Sequence, residues 1–183
     1  MQPALEIVVA HGTPGEQRMR ALLSGLLEKY ELTGWIFTTK VLVDEGAMPH
    51  SHPVLTLNAV HQDDAMMALA ELVHEQLHWF EEERAEDRDR AIEETKMWYS
   101  SVPSRQPEGA GNETSTRLHL LVCYLEHQAL KSLIGDEAAR RTIVALSQHH
   151  YCWVYRTVLS DEETIGGIIR RHNLVPEPLQ REG

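Results

Sequence analysis

The stretch "ELVHEQLHWF", Glu71–Phe80, places two histidines four residues apart and a glutamate directly after the first. Residues i and i+4 lie one turn apart on the same face of a helix, so His74 and His78 can each direct an imidazole nitrogen at one metal ion. The apolar residues recur at helical spacing on a neighbouring face. The stretch therefore predicts an amphipathic helix. That apolar face comprises Leu69, Val73, Leu77 and Phe80.

The chain before this helix predicts a small β-sheet. Ala4–Ala10 is a short β-branched run that ends at turn residues, and Glu16–Tyr30 repeats leucines at helical spacing. Gly34–Gly46 and Val54–Asn58 are rich in aromatic and β-branched residues, which indicates two strands of one sheet. Little strand signal follows Asn58. We therefore expect an α+β fold, in one domain over residues 1–183.

The chain after Asn58 predicts helices with one interruption. Asp63 or Asp64 is placed to cap the first of them. The prolines and glycines of Ser100–Thr116 indicate a mobile surface loop. The remaining expectations are a helical charged run over Glu81–Lys96, a helix that stops at Gly135, one long helix over Asp136–Leu159, and a capping box formed by Ser160 and Glu163.

Composition excludes several classes of protein. A net charge of −11 leaves no basic surface for nucleic acid, and no apolar run approaches the length of a membrane span. The two cysteines, Cys123 and Cys152, lie in apolar runs and are expected to be reduced. The amino terminus lacks the pattern of a signal peptide. We therefore expect a cytoplasmic protein of 183 residues that binds neither nucleic acid nor membrane; the sequence does not predict its oligomeric state.

The two histidines and Glu75 form an HExxH pattern, the arrangement of catalytic zinc in many hydrolases. Glu75 lies about 100 degrees around the helix axis from His74. It would therefore flank the ion and act as general base towards a water. With 11 histidines and 28 acidic residues in the chain, the pattern can also arise by chance as a solvated charge pair. Its position on an amphipathic helix that follows a strand pair favours a zinc (Zn²⁺) site.

A catalytic zinc site requires a third protein ligand. The extended HExxHxxGxxH pattern of metzincins is absent, because Glu81 and Arg84 stand where it requires glycine and histidine. In its order of strand pair, HExxH helix, loop and glutamate-bearing helix, the chain resembles the gluzincin branch of the zincin metallopeptidases over Trp35–Ile134. The resemblance implies a mainly helical zincin-like body, peptidase activity, and a third ligand that is a glutamate on a later helix.

Two regions offer that glutamate. Glu126 is an isolated acid on an otherwise apolar helix, where an ionised carboxylate is costly unless a cation compensates it. His119 lies two turns earlier on nearly the same face and is either a rival ligand or a supporting residue. Glu93 and Glu94 are also candidates, but they lie in a run of mixed charge.

Hydrolysis of an amide also requires a donor for the developing oxyanion. The candidates are His149, His150, Tyr151 and Tyr155, of which Tyr155 is our choice; the alternative is that these residues pack in the core. His50 and His52 are expected to be exposed turn residues rather than ligands.

Two functions remain open on the sequence alone. The first is a small intracellular zinc metallopeptidase that acts on a peptide or protein substrate, with Glu75 as general base. The second is a non-catalytic module with the zincin fold that binds a protein partner through its acidic helices. Replacement of Glu75 separates them, because only the hydrolase requires that carboxylate.

Overall fold

The computed structural model describes residues 5–180, so Ala4 of the first predicted strand lies outside the described residues. The chain divides into two compact units, residues 1–80 and 81–183. The expected α+β class is confirmed, since the described residues form eight α-helices and a three-stranded sheet. The single domain and the zincin-like body remain predictions.

The first unit contains the sheet. Its strands are β1 (Glu6–Val9), β2 (Lys40–Val43) and β3 (Leu55–Leu57), parallel and in the order β1-β2-β3. Helix α1 (Pro14–Lys29) connects β1 to β2 and packs against both. The beginning of the predicted strand Gly34–Gly46 is wrong, because a 3₁₀ turn over Thr33–Trp35 and an irregular segment precede β2.

Helix α1 begins with a capping box that connects the sheet to the helix. The Thr13 hydroxyl accepts a hydrogen bond from the Glu16 amide, and the Glu16 carboxylate accepts from the amides of His11, Gly12 and Thr13. It also accepts from the amide of Glu45, which follows β2. One enclosed carboxylate therefore joins the loops at the carboxyl ends of two neighbouring strands.

Helix α2 (Ala65–Glu82) carries the HExxH stretch and ends two residues beyond the first unit. The Asp64 carboxylate accepts hydrogen bonds of 3.1 Å from the amides of Met66 and Met67, which confirms the predicted cap. The predicted apolar face is also confirmed. Its residues Leu69, Val73, Leu77 and Phe80 are all buried.

The second unit is helical in its described residues. It contains α3 (Ala85–Trp98), α4 (Glu113–Ile134), α5 (Asp136–Leu146), α6 (Cys152–Ser160), α7 (Glu162–Arg171) and the short α8 (Glu177–Gln180). Helix α4 is central and packs against α3, α5, α6 and α7, as expected for a helix that is apolar on nearly every face. It stops at Gly135, whose φ of 82° confirms the predicted helix end.

Two expectations for this unit are wrong. The expected single helix over Asp136–Leu159 is two helices. The amides of Cys152 and Trp153 donate hydrogen bonds to the carbonyls of Pro107 and Glu108 in a distant loop, and α6 begins there. The capping box of Ser160 and Glu163 is absent. The residue before α7 is Asp161, and the Ser160 hydroxyl donates to the Thr157 carbonyl instead.

The segment between α3 and α4 is held by hydrogen bonds at several points along its length. Thr116 is fully buried, and its hydroxyl donates to the Pro103 carbonyl and accepts from the Ala110 amide. Val102 is also buried. The mobility expected of Ser100–Thr116 stays a prediction.

Candidate metal centre

Helix α2 aims both histidines of the HExxH stretch to one side. The ring centroids of His74 and His78 lie 5.1 Å apart with an angle of 73° between the ring planes. His74 is buried and His78 is half-buried. Such a pair, one turn apart, is the donor arrangement that a zinc ion requires from a helix.

A residue that the sequence reasoning passed over holds this part of α2 in place. Gln76, between the two histidines, is fully buried. Its side-chain oxygen accepts from the amides of Phe37 and Thr38 at 2.7 and 2.8 Å, and its nitrogen donates to the Thr38 carbonyl at 2.8 Å. The amide side chain thus pairs with the irregular backbone before β2 as a strand would. Only the tertiary structure identifies these partners.

Glu75, the proposed general base, is 8% exposed. One turn before it on the same helix lies Glu71, half-buried, with one carboxylate oxygen that is buried and has no hydrogen-bond partner. Burial, together with the neighbouring Glu75 carboxylate, raises the pKa of Glu71 to about 8. The sequence analysis missed Glu71, although its spacing from Glu75 is the ordinary spacing of one helix face.

In the second unit, Glu126 of α4 is 1% exposed, which confirms that this acid is buried. Its carboxylate accepts a hydrogen bond of 3.0 Å from the Tyr155 hydroxyl. Burial, with Cys123 and Glu126 as neighbours, holds the pKa of Tyr155 well above its ordinary value of 10, so the hydroxyl stays protonated. The Tyr155 hydroxyl therefore serves as a hydrogen-bond donor to Glu126. The expected role of Tyr155 as an oxyanion donor stays a prediction.

His119, the rival ligand, lies on the same helix and is 7% exposed. Its Nδ1 lies 2.7 Å from the Ser115 carbonyl oxygen. A carbonyl can only accept, so Nδ1 carries the proton and Nε2 carries the lone pair in the neutral ring. This is the tautomer that a metal-binding histidine requires.

The other aromatic candidates gather around His119 and Tyr155. The Tyr151 ring lies 4.3 Å from His119 and 6.4 Å from Tyr155, and the His150 ring lies 5.0 Å from Tyr151. Tyr151 precedes α6 with a left-handed φ of 48°, so it does not continue one long helix with Tyr155 as expected. His149 lies in the same turn between α5 and α6.

The remaining candidate ligands have other partners. Glu94 pairs with Arg171 and with His172, and the hydrogen bond from Arg171 is the main reason that the pKa of Glu94 is lowered. Glu93 pairs with Lys96. Because each carboxylate has a cationic partner, neither requires a metal ion to compensate its charge.

The expectation for the loop histidines is right for one and wrong for the other. His50 is exposed, and its backbone pairs with Thr56 of β3. His52 is half-buried, with its ring stacked on Trp79 at 4.1 Å. An aromatic partner on α2 explains why His52 does not face solvent.

Another group of possible ligands lies at the carboxyl ends of β1 and β2. The donor atoms of His11, Glu16 and Asp44 all lie within 4.8 Å of one another. The Glu16 carboxylate, however, already accepts from four backbone amides. The Glu16 carboxylate of this group therefore serves to cap α1.

Comparison with known proteins leaves the resemblance to gluzincins resting on its motifs alone. None of the helices over residues 5–180 combines the length and the apolar composition needed to cross a membrane. No family model, no curated protein and no solved structure matches this chain.

Proposed function

We propose that the protein is a zinc-dependent peptidase, with one Zn²⁺ held by His74, His78 and Glu126 and with Glu75 as general base. The observation that carries the proposal is the imidazole pair on one face of α2, 5.1 Å between ring centroids, beside the 8% exposed Glu75. Imidazole and carboxylate are the ligand types that suit zinc, and the proposed ligand set consists of these two types.

The choice of Glu126 as third ligand rests on its surroundings in the second unit. Glu126 is 1% exposed, and its carboxylate is a ligand type that zinc binds. The Tyr155 hydroxyl, which donates a hydrogen bond to that carboxylate, would hold it in its orientation towards a metal ion. His119, in the tautomer that leaves Nε2 as acceptor, is the alternative third ligand.

Zinc, when bound, supplies a Lewis acid that polarises a carbonyl group and makes a water more acidic. Glu75 accepts the proton of the attacking water and returns it to the leaving amine. The substrate class is a peptide or a protein.

A non-catalytic binding module is the second candidate. Met97 and Trp98, adjacent at the end of α3, are 76% and 57% exposed. Large apolar side chains that lie together on a surface are typical of binding sites for protein partners. In this function neither zinc nor the Glu75 carboxylate would be needed.

The experiment that tests the proposal is Glu75→Gln, with Glu28→Gln as the matched control. Glu28 is an exposed glutamate on α1 of the same unit, so the control removes the same charge from a different helix. We expect one zinc per chain in all three proteins by elemental analysis. Turnover of a peptide library should fall by roughly 100 to 10,000-fold in Glu75→Gln alone. Turnover by Glu75→Gln at the wild-type rate, or a wild-type chain without zinc after purification in zinc-replete medium, would contradict the proposal.

The same zinc measurement decides the third ligand. If the ligand is Glu126, Glu126→Gln weakens zinc binding far more than His119→Ala does. The reverse order would assign the place to His119.

A further inference from the structure

Glu71 extends the HExxH stretch by one helical turn. It lies three residues before His74 and four before Glu75, so Glu71, His74, Glu75 and His78 occupy one side of α2 in the pattern i, i+3, i+4, i+7. The side chains next to this polar stripe are apolar and buried. They are Leu72, Val73 and Leu77.

One carboxylate of this stripe is incompletely satisfied. One oxygen of Glu71 is buried without a hydrogen-bond partner, and the Glu75 carboxylate, one turn further along the helix, is 8% exposed. Buried carboxylates ordinarily have a cation or several donors beside them. The pKa of Glu71 is raised to about 8, because burial and the neighbouring Glu75 charge both disfavour its ionised form. The unpartnered oxygen of Glu71, beside a second acidic group on the face that carries the histidine pair, marks a place for a positively charged group.

We propose that Glu71 binds a protonated amine of the peptide substrate and thereby determines which peptides the chain accepts. This inference rests on the proposed peptidase function. An ammonium group has three donors and a full charge, so it would satisfy the unpartnered oxygen of Glu71 and offset the neighbouring Glu75 carboxylate. Glu71 performs this role without binding the metal ion itself.

The spacing on α2 limits where the amine lies on the peptide. One helical turn rises about 5.4 Å, and an extended peptide advances about 3.4 Å per residue. An amine beside Glu71 is therefore within about two residues of the bond at which Glu75 acts. Two chemical groups meet this requirement: the free α-amino group at a peptide's amino terminus, and the side chain of a nearby lysine.

Two pairs of short alanine peptides distinguish these sources. In the first pair the amino terminus is either free or acetylated; in the second, both peptides are acetylated and carry either lysine or norleucine, which lacks only the ammonium group. N-methylated internal amides prevent hydrolysis, so that calorimetry with the zinc-loaded full chain measures binding alone. The wild type should bind the charged member of one pair roughly tenfold more tightly or better. The pair that shows the effect identifies the source of the amine.

The variant Glu71→Gln should abolish this preference, whereas Glu28→Gln, on helix α1, should retain it. Glutamine has the shape of glutamate without its charge, and circular dichroism verifies that the fold is kept. Equal binding of both members of both pairs by the wild type, or an unchanged preference in Glu71→Gln, would overturn the inference.

Unmethylated versions of the four peptides separate this inference from the proposed function. A preference lost in Glu71→Gln without cleavage by the zinc-loaded wild type would leave Glu71 as an amine-binding residue and count against the peptidase. Cleavage without any preference would support the peptidase and refute the role of Glu71.

Discussion

Replacement of Gln76 by leucine tests whether one buried amide fixes the helix that carries the histidine pair. The substitution removes three hydrogen bonds of 2.7 to 2.8 Å, to the amides of Phe37 and Thr38 and to the Thr38 carbonyl. At about 1 kcal/mol for each bond, the free energy of unfolding should fall by about 3 kcal/mol. The loss is larger if the three backbone groups stay buried without partners, since each then loses its hydration as well.

Urea denaturation followed by circular dichroism and by tryptophan fluorescence measures this loss. With a dependence of about 2 kcal/mol per molar urea, the transition midpoint should move down by about 1.5 M. The matched control is Gln62→Leu. Gln62 accepts one hydrogen bond from Arg18 at the surface of the same unit, and its loss should change stability by less than about 0.5 kcal/mol.

A midpoint shift for Gln76→Leu no larger than that of Gln62→Leu would refute the reasoning. It would mean that the backbone of residues 37 and 38 finds other partners, and that the orientation of α2 does not depend on Gln76.

Two further substitutions test the buried carboxylates. Tyr155→Phe removes the 3.0 Å hydrogen bond to Glu126 and should lower the free energy of unfolding by about 2 kcal/mol, measured by urea denaturation; unchanged stability would show that other groups satisfy the carboxylate. For Glu16, burial opposes ionisation, but hydrogen bonds from the amides of His11, Glu45 and Gly12 outweigh it and lower its pKa from 4.5. Because the folded-state pKa is the lower one, its stabilisation is present above pH 4.5 and is lost as the pH falls through the folded-state value. The stability difference between wild type and Glu16→Gln should therefore shrink in acid, and a difference independent of pH would contradict this assignment.

Several features of the fold follow from local sequence. The β-branched runs predict β1 and β3, and Asp64 predicts the start of α2, because strand preference and capping depend on neighbouring residues. The shared face of His74 and His78 follows from helix geometry alone. Gly135 ends α4 with positive φ, as only a glycine does readily.

Other features depend on residues that are distant in the chain. Carbonyls of Pro107 and Glu108 begin α6, so the break in the predicted long helix has no local signal. In the sequence Gln76 is indistinguishable from an ordinary helix residue, because its partners at Phe37 and Thr38 are distant in the chain. The same holds for Tyr155, whose partner Glu126 lies 29 residues away. Periodicity predicts which side of a helix is buried, whereas hydrogen-bond partners and the burial of a single carboxylate are decided only when separate segments pack together.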